Sequence, residues 1–404
     1  MKFKRIFLIV TDSAGIGNAR DAANFHQVGN HSDLGSNTWK HIAEKMENGI
    51  NVPTLEALGL GDLDEINGVK AGLNHKNSYA VALNEASNGK DTMTGHWEMM
   101  GILTTKPFQT FTDTGFPKEL IDELEKRTGH KIIGNKSASG TEILKELGEE
   151  SIRDDSLIVY TSSDSVLQIC GHEKYLGLDK LYEYCEIARE LCMKPEWFVG
   201  RVIARPYVGE NKNEFKRTPN RHDYALSPTS RTMMEDLKEN GYEVSCVGKI
   251  ADIFNNVGVT KTVHTVSNAD GMDKTIAYVK DDDFTGLCFV NLVEFDSEYG
   301  HRRNSLGYGK AIEEFDVKLG EMLKYVKDDD LVIITADHGN DPTHVGTDHT
   351  RERVPFIAYS KKIVDGRKIS ERSSFADIGA TVLANFNLEK SKEEIGEPIE
   401  ELLR

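Results

Sequence analysis

The residues with the most chemical promise lie in Asp337-His338-Gly-Asn-Asp341-Pro-Thr-His344-Val-Gly-Thr-Asp348-His349. A carboxylate and an imidazole side by side, with another imidazole at His349, form a ligand set for a divalent ion. The ordinary alternative is that Asp337 and Asp341 make Asx turns while the histidines are solvated. Acids recur in similar places: Asp12, Asp164 and Asp296 also stand just past apolar runs, and His301 follows Asp296. Three carboxylates (Asp12, Asp296, Asp337) and three histidines (His301, His338, His349) would supply three ligands to each of two ions. Oxygen and nitrogen donors without a thiolate suit manganese or zinc, with magnesium also possible. Two such ions clamp the attacking and leaving oxygens of an in-line displacement, and they activate a hydroxyl. Thr92, in Gly89-Lys-Asp-Thr-Met-Thr-Gly-His-Trp97, is a hydroxyl such a site could use. Its plainer reading is that Thr92 or Asp91 only caps a helix.

These side chains need strand ends to gather them. The runs Ile6 to Val10, Gly286 to Val293 and Leu331 to Ile334 are apolar and β-branched, as buried parallel strands are. Ligands collect outside the carboxyl ends of such strands. Ser156 to Tyr160 leads toward Asp164 in the same way, and Glu243 to Val247 leads to Lys249. The strand-and-helix rhythm predicts a doubly wound α/β core with a mostly parallel sheet, from residues 1–106 and 226–404. Residues 107–225 change character, with helices predicted over Pro117 to Arg127, Gly140 to Gly148 and Leu178 to Leu191, interleaved with short strands. They read as an inserted α+β cap that would close over the metals and exclude water. Between Phe198 and Tyr224 stand Arg201, Arg205, Lys212, Lys216, Arg217 and Arg221 against three acids. That local excess is where an anionic substrate's phosphate could dock.

The net charge of -17 over 404 residues argues against nucleic acid or an anionic membrane as a partner. A small anionic substrate needs only a local basic pocket, and no obligate protein partner is evident. Five scattered cysteines without a CxxC pair suit a reducing cytoplasm. The opening Met1-Lys-Phe-Lys-Arg-Ile-Phe-Leu-Ile-Val10 reads as a strand, because its apolar run is too short for a signal peptide. No run approaches the length of a membrane span.

Five segments carry a resemblance: Asp12-Ser-Ala-Gly-Ile-Gly, Gly89-Lys-Asp-Thr-Met-Thr-Gly-His-Trp-Glu98, Gly134-Asn-Lys-Ser-Ala-Ser-Gly-Thr-Glu142, Tyr160-Thr-Ser-Ser-Asp-Ser165 and the run from Ala336 to Glu352. Together they resemble the bacterial phosphopentomutases, of the alkaline phosphatase superfamily, and the likeness extends to Ser374-Phe-Ala-Asp-Ile-Gly-Ala-Thr381. The resemblance implies an alkaline-phosphatase-like core in which Thr92 bears a phosphoryl group. Asp12, Asp337 and His338 would hold one metal, and Asp296, His301 and His349 the other, with manganese the expected ion. Asp164 and basic residues such as Arg201 and Lys249 would face a phosphorylated pentose. The implied reaction interconverts ribose or deoxyribose 1-phosphate and 5-phosphate through a bisphosphate. A sugar bisphosphate such as glucose 1,6-bisphosphate would prime it. The same metals and nucleophile would also serve a phosphatase or another phosphomutase, with the cap choosing the acceptor. A binding protein that had lost catalysis would have no use for Thr92. Ala14 and the Asn24-to-Asn30 loop depart from the family's usual wording, which reads as loop variation.

Overall fold

The structure is a computed structural model that describes every residue except 28, 74, 76, 163, 164 and 282. The chain forms two compact units, residues 1–105 with 227–404, and residues 106–226.

The first unit is built on an eight-stranded sheet. At its centre Arg5–Thr11 lies between Gly286–Leu292 and Asp330–Thr335, and all three are buried along their whole length. Burial on both faces is why these strands read as continuous apolar runs without alternation. Glu243–Val247 and Lys261–Val263 extend the sheet beyond Gly286–Leu292, still parallel. Beyond Asp330–Thr335 the direction changes: Val354–Tyr359 runs antiparallel to Asp330–Thr335 and to Ser78–Leu83. Helices form two packed groups, as a doubly wound sheet requires. Ser305–Leu323 packs with Asn268–Asp281 and Thr38–Lys45, and Asp377–Asn385 packs with Met233–Glu239 and Thr92–Met99.

The register brings the acids to one edge. Val10 pairs with Thr335 and Thr11 with Leu292, so Asp12, Asp337 and the turn carrying Asp296 leave the sheet together. At the opposite end Arg5 pairs with Asp330, and its guanidinium meets that carboxylate twice, at 2.7 and 2.6 Å. Both side chains are buried, so the pair punishes any slip of one strand along the other.

The second unit has its own six-stranded sheet, ordered His222–Ala225, Arg201–Val208, Val166–His172, Leu157–Thr161 and Ile132–Ser137, with Lys216–Arg217 paired to Arg201–Val208. One core, including Leu120, Leu124, Leu181 and Cys185, lies under helices Lys118–Thr128 and Leu178–Leu191. A smaller one, with Ile143, Leu144 and Tyr160, lies under helix Gly140–Arg153. Leu157–Thr161, which leads toward Asp164, belongs to this sheet, while three acid-terminated strands stand side by side in the first unit. An apolar run ending in an acid looks the same in either sheet, because its pairing partner is a tertiary fact. Asp164 itself lies outside the described residues. No helix among the described residues is long and apolar enough to cross a membrane.

Near the chain end, Glu394 Oε1 and Asp236 Oδ2 are both buried without a hydrogen-bond donor. Burial, joined by the Asp236 charge, pushes the Glu394 carboxyl up to about 7 from 4.5. An acid whose folded pKa is raised stabilises the fold while protonated. That contribution is complete below the unfolded pKa and is lost as pH rises through the folded one. Urea unfolding should therefore show stability falling between about pH 5 and pH 8, and Glu394→Gln should flatten part of that fall. Identical slopes in the two proteins would remove this pair as a cause.

Candidate active site

Asp12 and Asp337 emerge from neighbouring strands and are completely buried. Asn291, on the third central strand, donates from Nδ2 to Asp12 Oδ2 at 2.7 Å, while Asp12 Oδ1 has no donor. Ser13, held in the left-handed region at φ 69°, turns its N–H to Asp337 Oδ1 at 3.0 Å. A non-glycine residue in that region stores strain, and here the strain aims a donor at the site. Asp337 Oδ2 lies 3.1 Å from His96 Nδ1, but that N–H is donated to the Thr92 carbonyl at 2.9 Å, which leaves Oδ2 unsatisfied. His338 Nδ1 donates to the Gly339 carbonyl at 3.0 Å, so its Nε2 is the nitrogen turned to the site. That atom is 3.3 Å from Asp337 Oδ2, 3.5 Å from Asp12 Oδ1 and 3.1 Å from Thr92 Oγ1.

The remaining ligand candidates lie alongside. Asp296 sits on a wide helical turn, Phe295–Gly300, closed by a bond from the His301 N–H to the Asp296 carbonyl. Such wide turns recur at functional sites. His301 Nδ1 donates to the Thr347 carbonyl at 2.7 Å, and its Nε2 lies 3.1 Å from Asp296 Oδ2. His349 Nε2 is 3.5 Å from Asp296 Oδ1 and is buried without a partner. Two triads have ligand atoms within 4.8 Å of one another: Asp296, His301 and His349, and Asp12, Asp296 and His338. The structure thus gathers all six sequence-read candidates, with Asp296 in both triads and Asp337 against His338.

Electrostatics ask for a cation here. Burial and the Asp337 and Asp296 charges push Asp12 up to about 7. Burial opposes charge on His338, yet the Asp337, Asp12 and Asp296 carboxylates outweigh it and hold its pKa well above the usual range. Asp12 Oδ1, Asp337 Oδ2 and His349 Nε2 are buried and unpartnered. Each such atom costs about 1–3 kcal/mol if nothing satisfies it. All three are donor atoms of the kind manganese, zinc or magnesium accept, and His338 and His301 have their other nitrogens anchored on carbonyls as metal-bound histidines do. The residues present fit divalent ions.

Thr92 opens helix Thr92–Met99, but Asp91 is its cap, accepting from Thr94 N at 3.1 Å and Thr94 Oγ1 at 2.6 Å. The Thr92 hydroxyl is thereby left to face His338. The helix comes close because Gly95 has no side chain: a Cβ there would lie 2.1 Å from the Asp337 carbonyl oxygen. Buried Glu98 fixes the other end, accepting from Ala86 N, Ser87 N, Phe375 N and Ser374 Oγ.

Several working residues escaped the sequence reading. His96 stands one helical turn after Thr92, so spacing alone could have put it on the same face. Asn291 sits inside an apolar strand, and a polar residue there was a usable signal. Arg303 gave none, although its guanidinium donates to the Gly346, Asp341 and Asp348 carbonyls and holds the loop before His349. Lys249 is exposed just past Glu243–Val247, at the sheet edge that carries the acids. In the second unit Arg201 lies 3.7 Å from Asp223, which Arg221 grips at 2.6 Å through two nitrogens. Burial and the nearby Arg221 and Arg217 lower the Arg205 pKa, so these cations crowd one face.

A solved structure of phosphoglycerate mutase from Leishmania mexicana aligns with 98% of this chain and 97% of that one, at 11% identity and a TM-score of 0.48. A family model for the metalloenzyme superfamily matches residues 4–390. The phosphopentomutase of Clostridium botulinum is 57% identical over 402 residues, covering 100% of this chain and 99% of that one. That of Clostridium tetani is 55% identical over 404 residues, with the same coverage. The chain belongs to the phosphopentomutase family. The likeness spans the whole length over which the sequence motifs suggested it.

Proposed function

We propose that this chain is a cytoplasmic phosphopentomutase that interconverts ribose or deoxyribose 1-phosphate and the corresponding 5-phosphate through a phosphothreonine. The observation that carries the reading is Thr92 Oγ1, freed from capping by Asp91 and 3.1 Å from His338 Nε2. In this reading Asp12, Asp337 and His338 hold one divalent ion and Asp296, His301 and His349 another. Manganese ions there would supply positive charge to the phosphoryl oxygens and lower the pKa of a coordinated hydroxyl. Thr92 stands at the first position of its helix, whose partial positive end favours a phosphoryl group.

Phosphorylated Thr92 gives its phosphoryl group to the free hydroxyl of a pentose phosphate. The Oγ1–P bond breaks, a sugar O–P bond forms, and the hydroxyl proton passes to Thr92. The resulting bisphosphate then returns its other phosphoryl group to Thr92, which restores the enzyme and leaves the isomeric monophosphate. A sugar bisphosphate such as glucose 1,6-bisphosphate primes the cycle. Asp164, Arg201 and Lys249 are the residues proposed to face the sugar phosphate, and each charge-assisted bond from Arg201 or Lys249 contributes roughly 1.5–3 kcal/mol. The partners are small phosphorylated pentoses, not nucleic acid or membrane. All five cysteines are buried thiols, which suits a reducing cytoplasm.

Incubation with manganese, ribose 5-phosphate and a trace of glucose 1,6-bisphosphate tests the proposal. Ribose 1-phosphate should accumulate to an equilibrium mixture. Release of inorganic phosphate instead would mark a phosphatase, and no reaction would end the catalytic reading.

A further inference from the structure

The excursion from Asp21 to Asp33 ahead of helix Thr38–Lys45 contains the Asn24-to-Asn30 loop that reads from sequence as loop variation. We infer that it is a brace that positions His349 and the loop leading into Thr92, an inference that rests on the roles proposed for those two residues. Gln27, buried, brackets the His349 peptide as a strand would. Its Nε2 donates to the His349 carbonyl at 2.8 Å, and its Oε1 accepts the Asp348 N–H at 3.2 Å. The same Nε2 is fixed by Asp33 Oδ1 at 2.9 Å. Asp33, completely buried, then uses Oδ2 to accept from the Arg351 N–H and from Lys90 Nζ, both at 3.0 Å.

Arg351 carries the connection to the nucleophile loop. Nη1 donates to the Gly89 carbonyl and Glu85 Oε2, both at 2.5 Å, and Nη2 to the Glu85 carbonyl at 2.8 Å. Asp21 takes Nη2 and Nε at 2.9 and 3.0 Å. The guanidinium also lies over the Phe25 ring, 4.4 Å from its centroid. Every N–H of a guanidinium is thus used. Only a planar five-donor fork reaches the excursion and the Gly89 carbonyl together. Lys90 adds a second tie, donating to the His26 carbonyl at 3.1 Å while lying 3.3 Å from Asp348. The excursion therefore touches both sides of the place where Thr92 meets the ion-binding histidines, without itself offering a ligand.

Partners of this kind, one bond behind a metal ligand, change ion affinity about 10- to 100-fold when lost. Gln27→Met keeps the side-chain length and removes both hydrogen bonds to the His349 peptide. Manganese titration of the metal-free protein, well below its unfolding temperature, should show affinity about tenfold weaker than the parent. Arg351→Lys keeps the charge but loses the fork. Loading of Thr92 from glucose 1,6-bisphosphate, followed by mass spectrometry at saturating manganese, should be slowed at least tenfold. A general loss of stability would move the unfolding temperature and leave both readouts alone. Should Arg351→Lys not fold, Asp21→Asn, changed on the side of the fork where the partner is 43% exposed, loosens the same grip. Folded Gln27→Met and Asp21→Asn proteins that match the parent in affinity and loading rate would overturn the brace. A parent protein that takes no phosphate on Thr92 would overturn the nucleophile reading and the loop half of the inference, while the manganese titration still decides the His349 half.

Discussion

Thr92→Ala should lose phosphoryl transfer by about 10⁴- to 10⁶-fold, the scale on which removing a nucleophile acts. The protein should remain folded. Thr92 is only half-buried, and the helix cap belongs to Asp91, so deleting the hydroxyl costs on the order of 1 kcal/mol or less. Thr92→Ser keeps a hydroxyl at the same Cβ and should keep part of the rate. After treatment with glucose 1,6-bisphosphate and manganese, the parent should gain one phosphate, and peptide mapping should place it on Thr92. Thr94 is not a competing site, because its hydroxyl is committed to Asp91 at 2.6 Å in a buried position. An alanine variant that still catalyses transfer, or phosphate mapped to another hydroxyl, would overturn the mechanism.

Asp337→Ala and His349→Ala should each lose nearly all turnover, because in the two-ion reading proposed above three protein ligands per ion leave no reserve. The effect is also readable without catalysis. A ligand that binds only the folded state stabilises it by RT ln(1 + [L]/Kd), about 2.7 kcal/mol at a hundredfold excess over Kd. Manganese should therefore raise the unfolding temperature of the metal-free parent, and a chelator should reverse the rise. In either variant most of that shift should vanish. His349 Nε2 has no hydrogen-bond partner to lose, so its removal should leave the metal-free fold nearly as stable as before. Asp337 also accepts the Ser13 N–H, and its removal should cost the metal-free protein somewhat more. A chelated sample turning over at the parent rate would end the two-ion reading.

Much of this site was legible because its parts are local. Asp12, Asp337 and His338 each follow a continuous apolar run, and such a run exists only where both faces of a strand are covered. The motif from Ala336 to Glu352 keeps three ligand candidates within one loop, and Gly89 to Glu98 keeps the nucleophile on one helix start. Those same runs were silent on partners. Val354–Tyr359 gave no sign of running against its neighbours, since an apolar strand reads alike in either direction.

The sequence by itself determined the donor atoms and the edge they share: carboxylates and imidazoles past parallel strands, and a threonine that a helix start could present. Only the tertiary structure decided that Asp91, not Thr92, does the capping, and that Gly95 lets the helix press against Asp337. It alone joined Asn291 to Asp12 and Arg351 to Gly89, contacts spanning hundreds of residues. The reason is physical. Which atoms a residue offers is fixed by its own chemistry, whereas which of them remain unsatisfied depends on everything that folds around them. Here Asp12 Oδ1, Asp337 Oδ2 and His349 Nε2 are among the buried atoms left without a partner, and they are of the kind a divalent ion accepts.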